Sequence, residues 1–323
     1  MTGDTADRVV YVVILAYNGE KCIGACLKSL MKSNYPVRIV VLDNASTDRT
    51  REVIREFEDV RVLPQPKNLG FGLACNIGIG HALEAGADYV FLLNQDVCIG
   101  AETVGHLVHA AQGHPDYGIL SPLHLSKDGT ALDNRFKRRL ATVAADMLSD
   151  RYGKGLREVY PVESVNGAAW LIPAACLKQV GGFDPLFFMY GEDGDFVNRT
   201  SFHGWKVGIV PQAEMAHSRH FHKQAAPLSF SEEVLRRANT HRRYLTVHLK
   251  HPSYSFIRHF LLQAIEDGAV LLQSVIRRDW TTLSSTLLAM LMVIPRLPKI
   301  WLNRRCCKRG KGAFLAWNDQ ASA

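Results

Sequence analysis

Asp88–Asp96 reads DYVFLLNQD, and the way this stretch ends decides the fold. Tyr89 to Leu93 is an unbroken apolar run of the kind a strand buried on both faces shows, and it stops on two amides and an acid, Asn94, Gln95 and Asp96. The same grammar repeats upstream. VVYVVILA (9–16) is a first buried strand, and YNGEKCIGACLKSLMKSNYP (17–36) carries Ile23, Cys26, Leu27, Leu30 and Met31 at helical spacing before Pro36 ends it. VRIVVLDNAS (37–46) is a second strand, and STDRTREVIREFED (46–59) is an amphipathic helix behind a Ser/Thr/Asp cap. VRVLPQP (60–66) is a third strand, and GLACNIGIGHALEAG (72–86) is a third helix leading into DYVFLLNQD.

Strands alternating with helices in this way predict an open, mostly parallel α/β sheet. Right-handed crossovers place the carboxyl ends of its strands along one edge, where such sheets bind ligands. Tyr17 and Asn18 follow the first strand, Asp43 and Asn44 the second, Lys67 and Asn68 the third, and Asn94, Gln95 and Asp96 the fourth. A strand ending in Asp96 therefore delivers a carboxylate to that crevice on a rigid support; a polar turn with Asp96 capping the helix GAETVGHLVHAA (100–111) is the alternative.

At 323 residues, 47% hydrophobic and 21% charged, the composition excludes a disordered chain and suits one large or two modest domains. A formal net charge of +7 points to an anionic partner, either a nucleotide, a nucleic acid or a membrane surface. The seven cysteines lack the paired spacings of a zinc site and read as small buried hydrophobes in a reducing cytosol. No signal-peptide cleavage pattern follows MTGDTADR, so a cytoplasmic location is expected.

Six segments in order, VVILAYNGEKCIGACLKSL, VVLDNASTDRT, NLGFGLACNIGI, FLLNQDV, VNGAAWLIPAACLKQVGGFDPLFFMYGEDGDFVNR and AEMAHS, resemble the inverting nucleotide-sugar glycosyltransferases of family 2, rhamnosyltransferase-like branch. The resemblance implies a GT-A fold, a Rossmann-like mixed sheet, over residues 1–230, with 231–323 as a C-terminal helical extension. It implies a nucleoside and diphosphate site from Ala16, Tyr17, Asn18, Asp43, Asn44, Lys67, Asn68, Gly70, Phe71, Asn76, Asn94 and Gln95. In that site the Tyr17 ring would face a pyrimidine, Asp43 would accept from the base or ribose, and Lys67 with the NLGFG backbone N–H groups would face the diphosphate.

Asp96 resembles the last acid of the family's DxD motif, with Asn94 standing where the first acid would be, and would ligate Mg²⁺ or Mn²⁺. His217 would be a second ligand, the alternative being a structural hydrogen bond, and His220 and His222 would be surface neighbours. In MYGEDGDFVNR (189–199) Asp193 would be the general base for the acceptor hydroxyl, Glu192 would orient it, and Asp195 would cap the helix or pair with Arg199. Asn166, Gly167 and Trp170 would line the acceptor side, Trp170 alternatively being core, and Gly181, Gly182 and Pro185 bound a loop that would order when donor binds.

The residues after 231 are basic and amphipathic: SEEVLRRANTHRRYLTVHLKHP, then FIRHFLLQAIEDGAVLLQSVIRRDW and TLLAMLMVIPRLPKIWLNRRCCKRGKG. TTLSSTLLAMLMVI (281–294) reads as too short to span a bilayer, so these helices are expected either at an anionic membrane surface, on the inner face of the cell membrane, or packed on the catalytic domain or a second copy as a homodimer. The functional expectation is transfer of a sugar from a dTDP- or UDP-sugar donor to a glycan or lipid-linked acceptor in cell-surface polysaccharide synthesis. A nucleotide-sugar-binding protein without turnover is the alternative. Nucleic acid is the poorest partner, because the basic residues concentrate in the tail and no nucleic-acid motif occurs.

Overall fold

The computed structural model describes residues 8–218 and 228–315, so His220 and His222 lie outside the described residues. The first half alternates as expected: β1 Val10–Ala16, α1 Ile23–Leu30, β2 Val37–Asp43, α2 Thr50–Arg55, β3 Val60–Pro64, α3 Phe71–Glu84 and β4 Tyr89–Asn94. Then come β5 Val97–Ile99, α4 Thr103–Gly113, β6 Tyr117–Leu125, α5 Asn134–Leu140, α6 Ala144–Tyr152, β7 Tyr160–Pro161 and β8 Ala169–Pro173. They are followed by α7 Ala174–Val180, α8 Glu192–Phe202, β9 Lys206–His217, α9 Phe230–Lys250, α10 Phe256–Ile276, α11 Trp280–Val293, a 3₁₀ turn at Ile294–Arg296 and α12 Leu297–Arg309.

One sheet runs in the order β3-β2-β1-β4-β8-β6-β9-β5, with β7 paired to β9. β1, β2, β3 and β4 are mutually parallel, whereas β8 is antiparallel to both β4 and β6, which makes the sheet mixed. Side chains alternate into two apolar layers: Val12, Ile14, Phe91 and Leu93 pack with α1 and α4, and Val13, Val40, Leu92 and Trp170 pack with α3, α7 and α8.

The alternative reading of Asp96 as a helix cap is excluded, because β5 intervenes and α4 begins only at Thr103. The Ser/Thr/Asp stretch before α2 supplies Asp48, whose Oδ1 accepts from the Thr50 N–H at 3.0 Å, although the N-cap residue itself is Arg49.

The helices after Phe230 are packed on the catalytic body. Val234, Ala238, Leu245 and Leu249 of α9 are buried, as are Ile300 and Cys307 of α12. The stretch read as too short to span a bilayer is also corrected. α11, the 3₁₀ turn and α12 run on as one 30-residue helix, Trp280–Arg309, long and apolar enough by length and composition to cross a membrane. Here it lies along α9 instead, with Ala289, Val293, Ile300 and Cys307 turned inward.

Candidate functional site

The carboxyl edge of the sheet forms a continuous arc of polar groups. It starts at Asp43, the last residue of β2, which is fully buried, with one carboxylate oxygen accepting from the Ser46 N–H at 3.1 Å and the other bonded to Arg51. Asn18 sits at φ 46° and accepts from the Thr47 N–H at 2.9 Å, while its own N–H donates to the Ser46 hydroxyl. Next to it the Tyr17 ring is exposed at 41%.

Gln95 holds Tyr17 in place. Its Oε1 accepts from the Tyr17 N–H and its Nε2 donates to the Tyr17 carbonyl, both at 3.0 Å, so an amide side chain pairs with a backbone amide as a neighbouring strand would. Gly19 permits this, because a Cβ there would come within 2.2 Å of Gln95 Oε1. The middle position of the NQD triplet is therefore a brace between the ends of β1 and β4.

Asp96 and His217 meet as expected from the sequence. The pairing of β5 with β9 sets Val97 opposite His217, and the Ser218 N–H donates to the Asp96 carbonyl at 2.8 Å. The side chains then converge, with His217 Nε2 at 3.3 Å from Asp96 Oδ1. His217 Nδ1 is buried without a partner among the described residues. Cys22, Cys26 and Cys98 are near enough for Asp96 to act on them, yet burial pushes every one of these thiols up, Cys22 to about 11, so they remain neutral apolar groups. Among the described residues no third His, Cys, Asp or Glu completes a protein-only metal cluster. An oxygen and an imidazole nitrogen this close suit a hard divalent cation that draws its remaining ligands from phosphate and water.

The arc continues through β8. The Asn94 N–H donates to Ala168 O at 2.9 Å, so Asn166 and Gly167 lie just beyond the end of β4. A Cβ on Gly167 would stand 3.3 Å from Asp193 Cβ and 3.5 Å from the Trp170 ring, which places the expected base against this turn. Asp193 is half-buried in the first turn of α8, with Oδ1 accepting from the Gly194 N–H at 2.8 Å. Glu192 beside it is buried, its Oε2 has no partner, and burial raises its carboxyl to about 7, with the Asp193 and Asp195 charges adding to the rise. Asn166 Oδ1 is a further buried acceptor without a partner. Buried polar atoms are normally satisfied, so Glu192 Oε2 and Asn166 Oδ1, on the segments that flank Asp193 and Gly167, are atoms a polar ligand could satisfy.

Asp195 takes the pairing role expected of it and exceeds it. Its Oδ2 accepts from Arg199 Nε at 2.8 Å, and its Oδ1 meets the fully buried Lys250 ammonium at 2.5 Å. Lys250 also reaches Asp184 at 2.8 Å and the Cys307 sulfur at 3.0 Å, while Asn303 donates to Asp184 at 2.7 Å. Though burial opposes it, this company holds the Lys250 ammonium well above the ordinary lysine range, and the Lys250 and Arg199 cations hold Asp195 low. Arg51, Asp184, Lys250 and Asn303 carried no sequence signal, since their partners lie 8 to 119 residues away.

Several expected contacts are corrected. Trp170 is 1% exposed and stacks on Phe183 and Phe196, so its ring is floor rather than a sugar platform. Asn76 is buried and spent, donating to Phe183 O and Phe314 O and accepting from the Phe183 N–H, and it holds a loop rather than a nucleotide. Asn44 is buried and accepts from the Leu69 N–H while donating to Asn68 Oδ1 and Gly70 O. Asn68 Oδ1 takes the Gly70 N–H, and the Phe71 N–H donates to Phe188 O at 2.8 Å. The Leu69, Gly70 and Phe71 N–H groups of the NLGFG turn are thus used internally. Ala16 is buried, with its carbonyl accepting from Asn44 N, so it is support. Asp43 offers no open oxygen to a base. Of the expected nucleotide-facing groups Lys67 is exposed, with no ion pair among the described residues, and Asn94 is partly exposed.

Comparison with known proteins identifies the family and the fold. The family model described as glycosyl transferase family 2 matches residues 11–166, and that described as glycosyl transferase family group 2 matches 89–296. The chain is 30% identical over 235 residues to an N-acetylglucosaminyl-diphospho-decaprenol L-rhamnosyltransferase of Mycobacterium tuberculosis, covering 65% of this chain and 76% of the relative. It is 24% identical over 226 residues to rhamnosyltransferase WbbL of Escherichia coli, covering 66% of this chain and 84% of the relative. Two solved folds are similar at 18% identity. The mannosyltransferase PcManGT of Pyrobaculum calidifontis, in complex with GDP-Man and Mn²⁺, has a TM-score of 0.56 over 90% of this chain and 87% of that one. GalNAc-T7 with UDP, GalNAc and Mn²⁺ has a TM-score of 0.55 over 76% of this chain and 48% of that one. The chain belongs to glycosyltransferase family 2, with rhamnosyltransferases among its relatives, and its fold is GT-A with added C-terminal helices.

Proposed function

We propose that the chain is an inverting hexosyltransferase that moves a rhamnose-like or other hexosyl group from a dTDP- or UDP-sugar to a hydroxyl of a glycan or lipid-linked acceptor, in cell-surface polysaccharide synthesis on the cytoplasmic side of the membrane. One chain of contacts supports the reading: the Asn94 N–H bonds Ala168 O, and the Gly167 turn just before it lies against Asp193, so the segment bearing Asp193 abuts the end of β4, two residues before Asp96 and its neighbour His217. A base on one side and an oxygen–nitrogen chelating pair on the other are what an in-line displacement at a sugar carbon needs.

In that displacement Asp193 takes the acceptor hydroxyl proton as its oxygen bonds to the anomeric carbon. The bond from that carbon to the diphosphate oxygen breaks, and the nucleoside diphosphate leaves with the electron pair. Asp96 and His217 would hold Mg²⁺ or Mn²⁺, which when bound neutralises diphosphate charge. The exposed Tyr17 ring would face the pyrimidine, Lys67 would steer the phosphates, and the buried Glu192 would position Asp193. The rhamnosyltransferase relatives support a deoxyhexosyl donor, and the decaprenol-linked substrate named for one of them supports a lipid-linked acceptor.

The test is nucleotide release from UDP-, dTDP- and GDP-sugars with Mg²⁺ or Mn²⁺ and a lipid extract, wild type beside Asp193→Asn. We expect metal-dependent release from one donor, reduced about 10²- to 10⁴-fold in the variant, with donor affinity kept. Donor binding with no release from any extract would instead favour a nucleotide-sugar-binding protein.

A further inference from the structure

α10 is built inside out. The residues it buries are Asp267 and Ser274, whereas Ile257 is exposed at 69%, Ile265 at 69%, Leu272 at 64% and Ile276 at 72%. Asp267 is turned inward because it pairs with His241 of α9 at 3.0 Å and accepts from Gln263. A helix lying on a soluble core shows the opposite arrangement, apolar stripe inward and polar face to water. α11 and the 3₁₀ turn after it add a ridge of their own, with Trp280, Leu287, Leu291 and Ile294 exposed at intervals of 7, 4 and 3 residues along one side. Together they make an apolar surface of the kind that marks an interaction site.

We propose that this outward face of α10 and α11 docks the protein on an anionic lipid bilayer. The charge around it selects that occupant. Between Phe256 and Arg309 there are nine Lys and Arg residues but three acids. Of the acids, Asp267 is buried in its own pairing and Asp279 caps α11 by accepting from the Thr282 N–H. Arg277 and Arg278 fill the turn at one end of α10, and Arg258 stands at the other. A second copy seated on the same face would set like charges against like charges, whereas acidic headgroups match them, and the apolar side chains reach into the acyl boundary. The docking rests on the helix surface alone. Its use, presenting the crevice to a lipid-linked hydroxyl, rests on the transferase reading.

The experiment is co-flotation of the full chain with phosphatidylcholine vesicles, with and without phosphatidylglycerol, beside the triple variant Ile257→Asp, Ile265→Asp, Leu272→Asp. These side chains are exposed, and unchanged nucleotide-sugar binding by the variant reports that it is folded. We expect the wild type to float with the anionic vesicles, to be released as salt rises, and to lose at least tenfold in bound fraction in the triple variant. Failure to float with any vesicle, equal flotation of the variant, or a dimer in solution abolished by the same substitutions would overturn the proposal. So would attachment surviving alkaline carbonate, which would mean that Trp280–Arg309 inserts as a span. Donor binding is measured apart from vesicles, so the loss of one reading leaves the other standing.

Discussion

Glu192, adjoining the proposed base, and Lys250, which pairs with Asp195 on the same helix turn, are buried ionisable groups, and each makes a measurable demand on the fold. Burial lifts the Glu192 carboxyl to about 7 from an ordinary 4.5. Between those two values the folded protein keeps a proton that the unfolded chain has given up. The contribution to stability is therefore complete below pH 4.5 and is lost as pH rises through about 7, by on the order of 3 kcal/mol. Glu192→Gln should flatten that decline, measured by urea unfolding at pH 5 and pH 8 in both proteins. An unchanged difference between the two pH values would show that another group is responsible. Lys250→Met leaves Asp184 and Asp195 facing each other in the interior with Arg199 as the one remaining cation of the cluster. Breaking a buried ion pair from one side costs about 3–5 kcal/mol, so the urea midpoint should fall steeply, and adding Asp184→Asn should return part of the loss. A midpoint equal to wild type would mean that the ammonium contributes nothing net.

At the scale of elements, what could be read in advance was which strand ends share an edge. Tyr17, Asp96, His217 and Asp193 each stand at the end of a strand or the start of a helix; the parallel pairing of β1 with β4 brings Tyr17 and Asp96 to one edge, while the antiparallel pairings of β5 with β9 and of β4 with β8 add His217 and the turn against Asp193. Which way a side chain turns at those ends was not legible. Trp170 pairs in register with Leu92 on a strand covered on both faces, so its sequence neighbours are apolar whichever side it faces. Asn76 and Asn44 look like ligand-facing amides, yet each is consumed by loop backbone, because a buried N–H or C=O takes the nearest partner. The inversion of α10 is hidden for a related reason: periodicity locates an apolar face but not the direction it points. The start of α3 is where this internal use can be tested. Gly70 has φ 80°, and a Cβ there would lie 2.1 Å from Phe188 O. Gly70→Ala therefore adds backbone strain of about 1–3 kcal/mol and pushes the segment bearing Phe188, Met189 and Tyr190 away from the helix. Limited proteolysis between residues 186 and 191 should become several-fold faster than in wild type, and an equal rate would mean that the backbone shifts elsewhere.

Taken as a whole the molecule is one body, although its sequence changes character near residue 231. The change coincides with the start of α9 at Phe230, but the interactions cross it everywhere. Lys250 and Asn303 enter the interior to reach Asp184 and Asp195, His203 meets the Cys307 carbonyl at 2.8 Å, and Asn76 donates to Phe314 O. Gly181 and Gly182, read as a loose entry to the acceptor loop, are in fact pinned: the Gly182 N–H donates to Ala313 O at 2.8 Å, and a Cβ on Gly181 would lie 2.0 Å from the same oxygen. The residues after α9 begins thus hold both ends of the segment from Gly181 to Asp195 that carries the proposed base, Ala313 beyond α12 at one end and Lys250 of α9 at the other. Ending the chain after Ser229 would strip these partners at once and uncover Leu186, which packs against Leu245, Leu249, Val293 and Ile300, along with the ionic cluster. Such a chain should lose its cooperative urea transition, and co-expression with residues 230–323 as a separate fragment should restore it. A truncated chain that unfolds sharply at the wild-type midpoint would show instead that the sheet and its first helices are sufficient, with the C-terminal helices an attachment to a domain already complete.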